Sequence, residues 1–140
     1  MINIEVLNES VSFPLEIPLT PSHHAGVPLA VIDRASDLKR WALVAWNDDE
    51  SATIGLARNL SLLVLSRADI DSLSITFVRA AKGVGWVSLS AKLKSRLVPV
   101  TLLESEIFRD DALAWLLDQK SRMEALFCLE ISVLDGGSDY

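Results

Sequence analysis

The sequence predicts an α+β protein: mainly antiparallel β-sheet, running as a meander and folded into a sandwich or open barrel, with one long C-terminal helix followed by a final strand. Three observations predict it. Apolar and polar residues alternate through most of residues 72–103, the period of a strand with one buried face. From Ile107 to Phe127 the apolar residues recur at threes and fours instead, the period of a helix. After Phe127 the alternation returns. At 140 residues, half of them apolar, the chain predicts one domain over 1–140 that buries a core of ordinary size.

At the N-terminus Ile2, Ile4 and Val6 alternate with Asn3 and Glu5, and after a short polar break Val11, Phe13, Leu15 and Ile17 alternate again. This reads as a hairpin whose second strand is at a sheet edge, because Pro14 has no amide hydrogen to give to a ladder. Residues 18–28 hold three of the five prolines and read as a long loop. A short strand over 29–32 is expected to follow.

Residues 34–46 allow two readings. Ser36 could cap a helix with an apolar face through Leu38, Trp41, Ala42 and Ala45. The preferred reading makes 41–46 a strand that turns through Asn47, Asp48, Asp49 and Glu50 and pairs with 51–57. Leu60, Leu62 and Val64 are flanked by Leu63 and Leu65, which predicts a strand buried on both faces and central in its sheet.

Next, Leu73, Ile75 and Phe77 share one parity, and Lys82, Gly83, Val84 and Gly85 form a turn. Beyond it Val87, Leu89, Ala91 and Leu93 take the inner parity; Ser88, Ser90, Lys92, Lys94 and Arg96 take the outer one. A helix is also compatible with Trp86, Leu89, Leu93 and Leu97, but the strand separates polar from apolar side chains more cleanly. Residues 98–103 continue as a strand, with Pro99 again pointing to an edge.

The C-terminal helix is expected to start near Glu104 and Glu106 or near Asp110 and Asp111, where carboxylates complement the positive end of the helix dipole. Its solvent side carries Asp118, Lys120 and Arg122. The last strand is expected to begin at Phe127, with Phe127, Leu129, Ile131 and Val133 alternating with Cys128, Glu130 and Ser132, and residues 135–140 are expected to be a flexible tail.

The formal charge of −6 conceals a segregation. Residues 72–103 contain Arg79, Lys82, Lys92, Lys94 and Arg96 and no acid, whereas the other 108 residues hold 8 basic and 19 acidic side chains. An acidic protein has little general affinity for polyanions such as duplex DNA or anionic lipid, unless its cations share one face. Cys128 is the only cysteine, so an internal disulfide is excluded, and its apolar neighbours predict a buried, inert thiol. No run of residues approaches the ~20 apolar positions of a membrane span, and the N-terminus lacks the basic-then-apolar pattern of an export signal. A soluble cytoplasmic protein is the expectation.

No complete catalytic constellation is visible. His23 and His24 are the only histidines, both in the proline-bounded loop, and two adjacent imidazoles do not make a zinc site. No GxSxG surrounds a serine, and neither the phosphate-loop nor the dinucleotide pattern surrounds Gly83 and Gly85. No cofactor is expected. What remains is the basic stripe with Trp86 beside it: a solvated face that blunts a strand edge, or a contact with an acidic surface of another protein or another copy of this chain. The expected function is therefore that of a non-enzymatic protein-binding module, an inhibitor, an immunity or chaperone-like factor or an assembly subunit, with Arg79, Lys82, Trp86, Lys92, Lys94 and Arg96 at the contact. Two alternatives are a nucleic-acid-binding accessory protein using the same residues and a small enzyme using His23 or His24.

Overall fold

A computed structural model describes residues 1–8, 17, 27–37, 43–58 and 61–138. The fold class is the expected one: two mainly antiparallel sheets, a long C-terminal helix and a final strand. In chain order the elements are β1 (Ile2–Asn8), α1 (Leu29–Asp37), β2 (Leu43–Asp48), β3 (Thr53–Arg58), β4 (Ser61–Ser66), β5 (Ile70–Arg79), β6 (Trp86–Leu93), β7 (Val100–Ser105), α2 (Asp110–Phe127) and β8 (Ile131–Ser138). The described strands form one sheet ordered β1-β2-β3-β4 and a second ordered β7-β6-β5-β8.

The inner faces of both sheets and one side of α2 share a core. Leu43, Ala45, Leu56 and Leu63 come from the first sheet, Leu73, Ile75, Leu89 and Leu102 from the second, and Leu116, Met123 and Phe127 from the helix. A smaller cluster lies on the opposite face of the first sheet, where Val31 and Ala35 of α1 pack on Val44, Trp46 and Ala57. The first sheet is thus buried on both faces. This explains why β2 and β3 read as continuous apolar runs, with every residue of 43–47 buried, while β5 and β6 read as alternating ones.

The β2–β3 hairpin of the preferred reading forms, but it turns at 49–52 rather than at 47–50, because Asn47 and Asp48 still pair within β2, with the Asp48 carboxylate accepting from the Glu50 amide at 3.1 Å and the Ser51 hydroxyl at 2.8 Å. These bonds, that from Ser51 foremost, hold the Asp48 carboxyl below its ordinary range. Residues 86–93 are a strand, as preferred: Val87, Leu89, Ala91 and Leu93 all face the core.

Several expectations need correction. Residues 29–32 are helix, not strand. Pro28 starts α1, its carbonyl accepting from the Val31 amide at 3.0 Å, and Val31 and Ala35 recur at the helical spacing of four. Ser36 is in the last turn of α1 rather than capping its start; its hydroxyl donates back to the Ile32 carbonyl at 2.8 Å. Strand β4 is covered on both faces as its leucines require, but it is an edge strand, since it pairs only with β3 among the described strands. Strand β7 begins at Val100, later than expected, and Pro99 does precede an edge strand. Helix α2 starts at Asp110 and runs through Phe127, so the last strand starts at Ile131. Residues 135–138 are not a tail. They extend β8, which lies parallel to β5, with Arg79 and Asp135 joined at 2.9 Å. Cys128 is exposed, because it follows the helix in the left-handed conformation (φ 57°) that turns the chain away from the core. The second strand of the N-terminal hairpin (except Ile17, which is buried), residues 18–26 with both histidines, Leu38 and Trp41 lie outside the described residues.

The return from α2 to β8 is tied by Glu124, which accepts from the Ile131 amide at 2.9 Å and from Lys120 at 3.2 Å. The Ile131 amide first, then Lys120, draws the Glu124 carboxyl below its ordinary 4.5. A carboxylate depressed by folding stabilises the fold above its unfolded value and loses that contribution as the pH falls through the folded value. Glu124→Gln is therefore expected to lower the unfolding midpoint at pH 7, with the gap to wild type narrowing as the pH drops below about 4. Thermal melts at stepped pH check this, and a gap that stays constant into acid would refute it.

Candidate functional site

The two sheets are not treated alike by the rest of the chain. Helix α1 covers the outer face of the first, whereas no described element packs on the outer face of the second. On that open face the register aligns short side chains in rows. Ser74 lies opposite Ser90 on one side and Ser132 on the other, and Thr76 lies opposite Ser88, which in turn faces Glu104. Neighbouring strands are about 5 Å apart and side chains alternate faces, so these rows form a floor of hydroxyls.

Larger side chains stand around that floor: Trp86 and Glu106 at one end, Lys92 and Pro99 at the other, Leu134 along the β8 side. Small residues ringed by large ones make a hollow, here of about 580 Å³. Within it Thr76 and Ser88 exchange a hydrogen bond at 2.9 Å, and Ser88 and Ser90 approach to 3.3 Å. Three hydroxyls carry three protons for two such contacts, so at least one O–H and several lone pairs stay available to a ligand.

The residues expected to form one basic contact are divided between the two ends of the β5–β6 hairpin. Arg79, Lys82 and Trp86 are at its turn; Lys92, Lys94 and Arg96 are at the far end, six residues or about 20 Å along the strand from Trp86. Of the six, only Trp86 and Lys92 line the hollow. The stripe ends with the strand at Leu93. Asp69 takes the Lys94 amide on its carbonyl at 2.7 Å and holds the amide and hydroxyl of Ser95 with its carboxylate, pulling the chain into a turn. Lys94 and Arg96 therefore leave the sheet face.

Two of the cations are also engaged. Arg79 pairs with Asp135 at 2.9 Å, with its guanidinium 4.8 Å from the centre of the Phe77 ring, and Lys92 stands 3.8 Å from Asp71. The Arg79 contact is the main cause of the lowered Asp135 pKa. The net character of the hollow is not basic: Glu104 and Glu106 line it against Lys92 alone. The sequence offered both glutamates as one of two helix starts, the other being near Asp110 and Asp111, where α2 does begin, and the serines as part of an outward stripe. That two hydroxyl stripes were present was visible in the alternation of 72–76 and 88–90; that they lie side by side depends on the pairing of β5 with β6.

A second, more open groove runs between β1 and α2. Several of its polar groups bind neighbouring elements. Arg122 donates to the Val6 carbonyl at 3.1 Å and faces Glu5 at 3.8 Å, which ties β1 to the helix. Arg122 is exposed, as expected, and is a structural link as well. Among the described residues no group of three or more His, Cys, Asp or Glu is placed to hold a metal ion, and no helix is long and apolar enough to cross a membrane.

Fold and site together define a class: a two-sheet α+β protein with one sheet sealed by a helix and the other presenting a concave, hydroxyl-floored face. The chain belongs to the family described as the PM0294 C-terminal domain, which matches residues 30–134. That span includes α2, all but the first residue of α1, every strand from β2 to β7 and half of β8. No curated protein and no solved structure matches the chain.

Proposed function

We propose that the protein is a binding module without catalysis of its own, acting in the cytoplasm as an inhibitor, an immunity or chaperone-like factor, or a subunit of a larger assembly. Its contact is the open face of the second sheet, against which another protein or another copy of this chain docks. The observation that carries the reading is the inequality of the two sheets: a helix covers the outer face of one, and no described element packs on the concave outer face of the other. Exposed apolar side chains at both ends of that face, Val84 and Trp86 at one and Leu97 and Val98 at the other, add area that a partner would bury. The division of the cations between two ends leaves a nucleic acid without a continuous positive track, which supports a protein partner over a polyanion.

Filling the floor tests this. Ser90→Tyr places a large side chain in the middle of the hollow, on the outer face, and is expected to leave the unfolding midpoint within roughly 4 °C of wild type. Binding of the partner recovered with the wild-type protein from its source cells, or self-association in sedimentation, is expected to fall by about tenfold or more, as for an obstructed interface centre. The reading is wrong if Ser90→Tyr and Thr76→Tyr both keep wild-type binding.

A further inference from the structure

The turn end of the hollow has a chemistry of its own. Trp86 is 41% exposed, which leaves part of its indole uncovered at the rim. One strand away, Glu104 lies opposite Ser88, and Glu106 follows at the end of β7, level with Trp86 by the same register. All three line the hollow, and neither glutamate is among the ion pairs formed by the described residues. The cations of the β5–β6 hairpin do not cancel them, and Arg109, which follows β7, is paired with Asp111. Arg79 is held by Asp135, Lys82 does not line the hollow, and Lys92 is at the far end beside Asp71.

An indole attracts cations to its face, and the carboxylates of Glu104 and Glu106, which line the same hollow, add full charges of the same preference. Val84 and Ile107 are exposed beside this end, 61% and 44% respectively, with the Phe108 amide bonded to the Val84 carbonyl at 2.8 Å. Apolar surface next to paired carboxylates suits a cation on an aliphatic stem, which can lay its methylenes on the one and its head on the other. Lysine and arginine side chains have that form; a bare metal ion does not.

We propose that the Trp86, Glu104 and Glu106 end of the hollow is the subsite for a basic side chain, so that the segment docked on the second sheet is a lysine- or arginine-bearing stretch of a partner protein. This rests on the docking reading above and reverses the polarity that the sequence suggested: the acceptor surface is acidic and the partner basic. The hydroxyl floor beside it, with its spare donor and lone pairs, meets the backbone of the docked segment.

The probe is a fluorescein-labelled hexa-arginine peptide, with hexaglutamate as its counterpart, followed by anisotropy at low and high salt. The expected result is binding to the hexa-arginine peptide, none to hexaglutamate, and a loss of about tenfold in Glu104→Gln/Glu106→Gln and of several-fold in Trp86→Ala, in line with desolvated cation–π and charge contacts. A double variant with the same charge change elsewhere, Asp118→Asn/Glu130→Gln, is expected to bind as wild type. Equal losses in the two double variants would mean attraction to the overall negative charge and would overturn the subsite, as would preferential binding of hexaglutamate. Circular dichroism excludes misfolding, and the side chains concerned are at least partly exposed. If Ser90→Tyr abolishes capture of the native partner while Glu104→Gln/Glu106→Gln leaves it intact, the docking face stands and the basic occupant falls. If neither variant matters, both fall.

Discussion

Gly55→Ala is expected to cost about 3 kcal/mol or more, the upper end of what overpacking a core produces, and to leave little folded protein at moderate urea. Gly55 is in β3, between β2 and β4, opposite Trp46 on one side and Val64 on the other. An added Cβ would lie 2.0 Å from the Leu63 carbonyl oxygen and 2.6 Å from the Trp46 ring. The ring is fully buried under α1, and the carbonyl belongs to the backbone of the neighbouring strand, so neither can yield without moving the sheet. Gly137→Ala is the control. Its φ of +81° makes alanine strained, but nothing lies within 4 Å of the added carbon, so the cost is limited to about 1–2 kcal/mol of backbone strain. Urea unfolding midpoints decide it, and a Gly55→Ala protein as stable as Gly137→Ala would refute the close packing of Trp46 on this strand.

Asn47→Leu should lower stability by about 2–4 kcal/mol, although leucine is close in size and more apolar. Asn47 is 2% exposed and sits where the first sheet meets the end of α2. Its amide donates to the Leu126 carbonyl at 2.9 Å, one of the last carbonyls of the helix, which has no amide four residues ahead in helical position. Its carbonyl oxygen accepts from Arg67 at 3.0 Å, and Arg67 also reaches Asp49 at 3.2 Å. Leucine would strand a buried carbonyl and deprive a partly buried guanidinium of one acceptor. Arg67→Met removes the outer arm alone, where the side chain is 28% exposed, and is expected to cost less than half as much. The double variant should be less destabilised than the two singles summed, since the Arg67 contact is lost only once. Strict additivity would mean that the two side chains do not act as one network.

Gly55 and Asn47 show what kind of information the chain carries openly. Within its strand, glycine is a local oddity that signals a close approach, but only the placement of Trp46 across from it identifies what approaches. Asn47 looked like the first residue of a polar turn together with Asp48, Asp49 and Glu50. It is the last buried residue of β2, because a helix 79 positions further along the chain presents a carbonyl to it.

The candidate site divides the same way. The outward parity of Ser72, Ser74, Thr76, Ser88 and Ser90 was legible, since alternation depends only on the two-residue repeat of an extended backbone. Reading Lys94 and Arg96 as its continuation failed because a strand's end is set by what captures the chain, here Asp69 in a different turn. Glu104 and Glu106 stood beside Asp110 and Asp111 as one of two candidate helix starts because acids suit both a helix N-terminus and an exposed edge strand. Only the pairing of β7 with β6 puts Glu104 on the sheet and both glutamates near Trp86.

By itself the sequence determined the fold class, most of the strands, the long helix and which parity of β5 and β6 is core. These follow from periodicity, and periodicity is a property of neighbours along the chain. Only the tertiary structure decided that β4 is at the edge of the described first sheet, that β8 runs parallel to β5 and that one outer face is covered by a helix while no described element packs on the other. Strand order and face coverage arise from pairings between distant segments, which compete on total burial rather than on any local pattern, and so the location of the open face could not be read until the sheets were assembled.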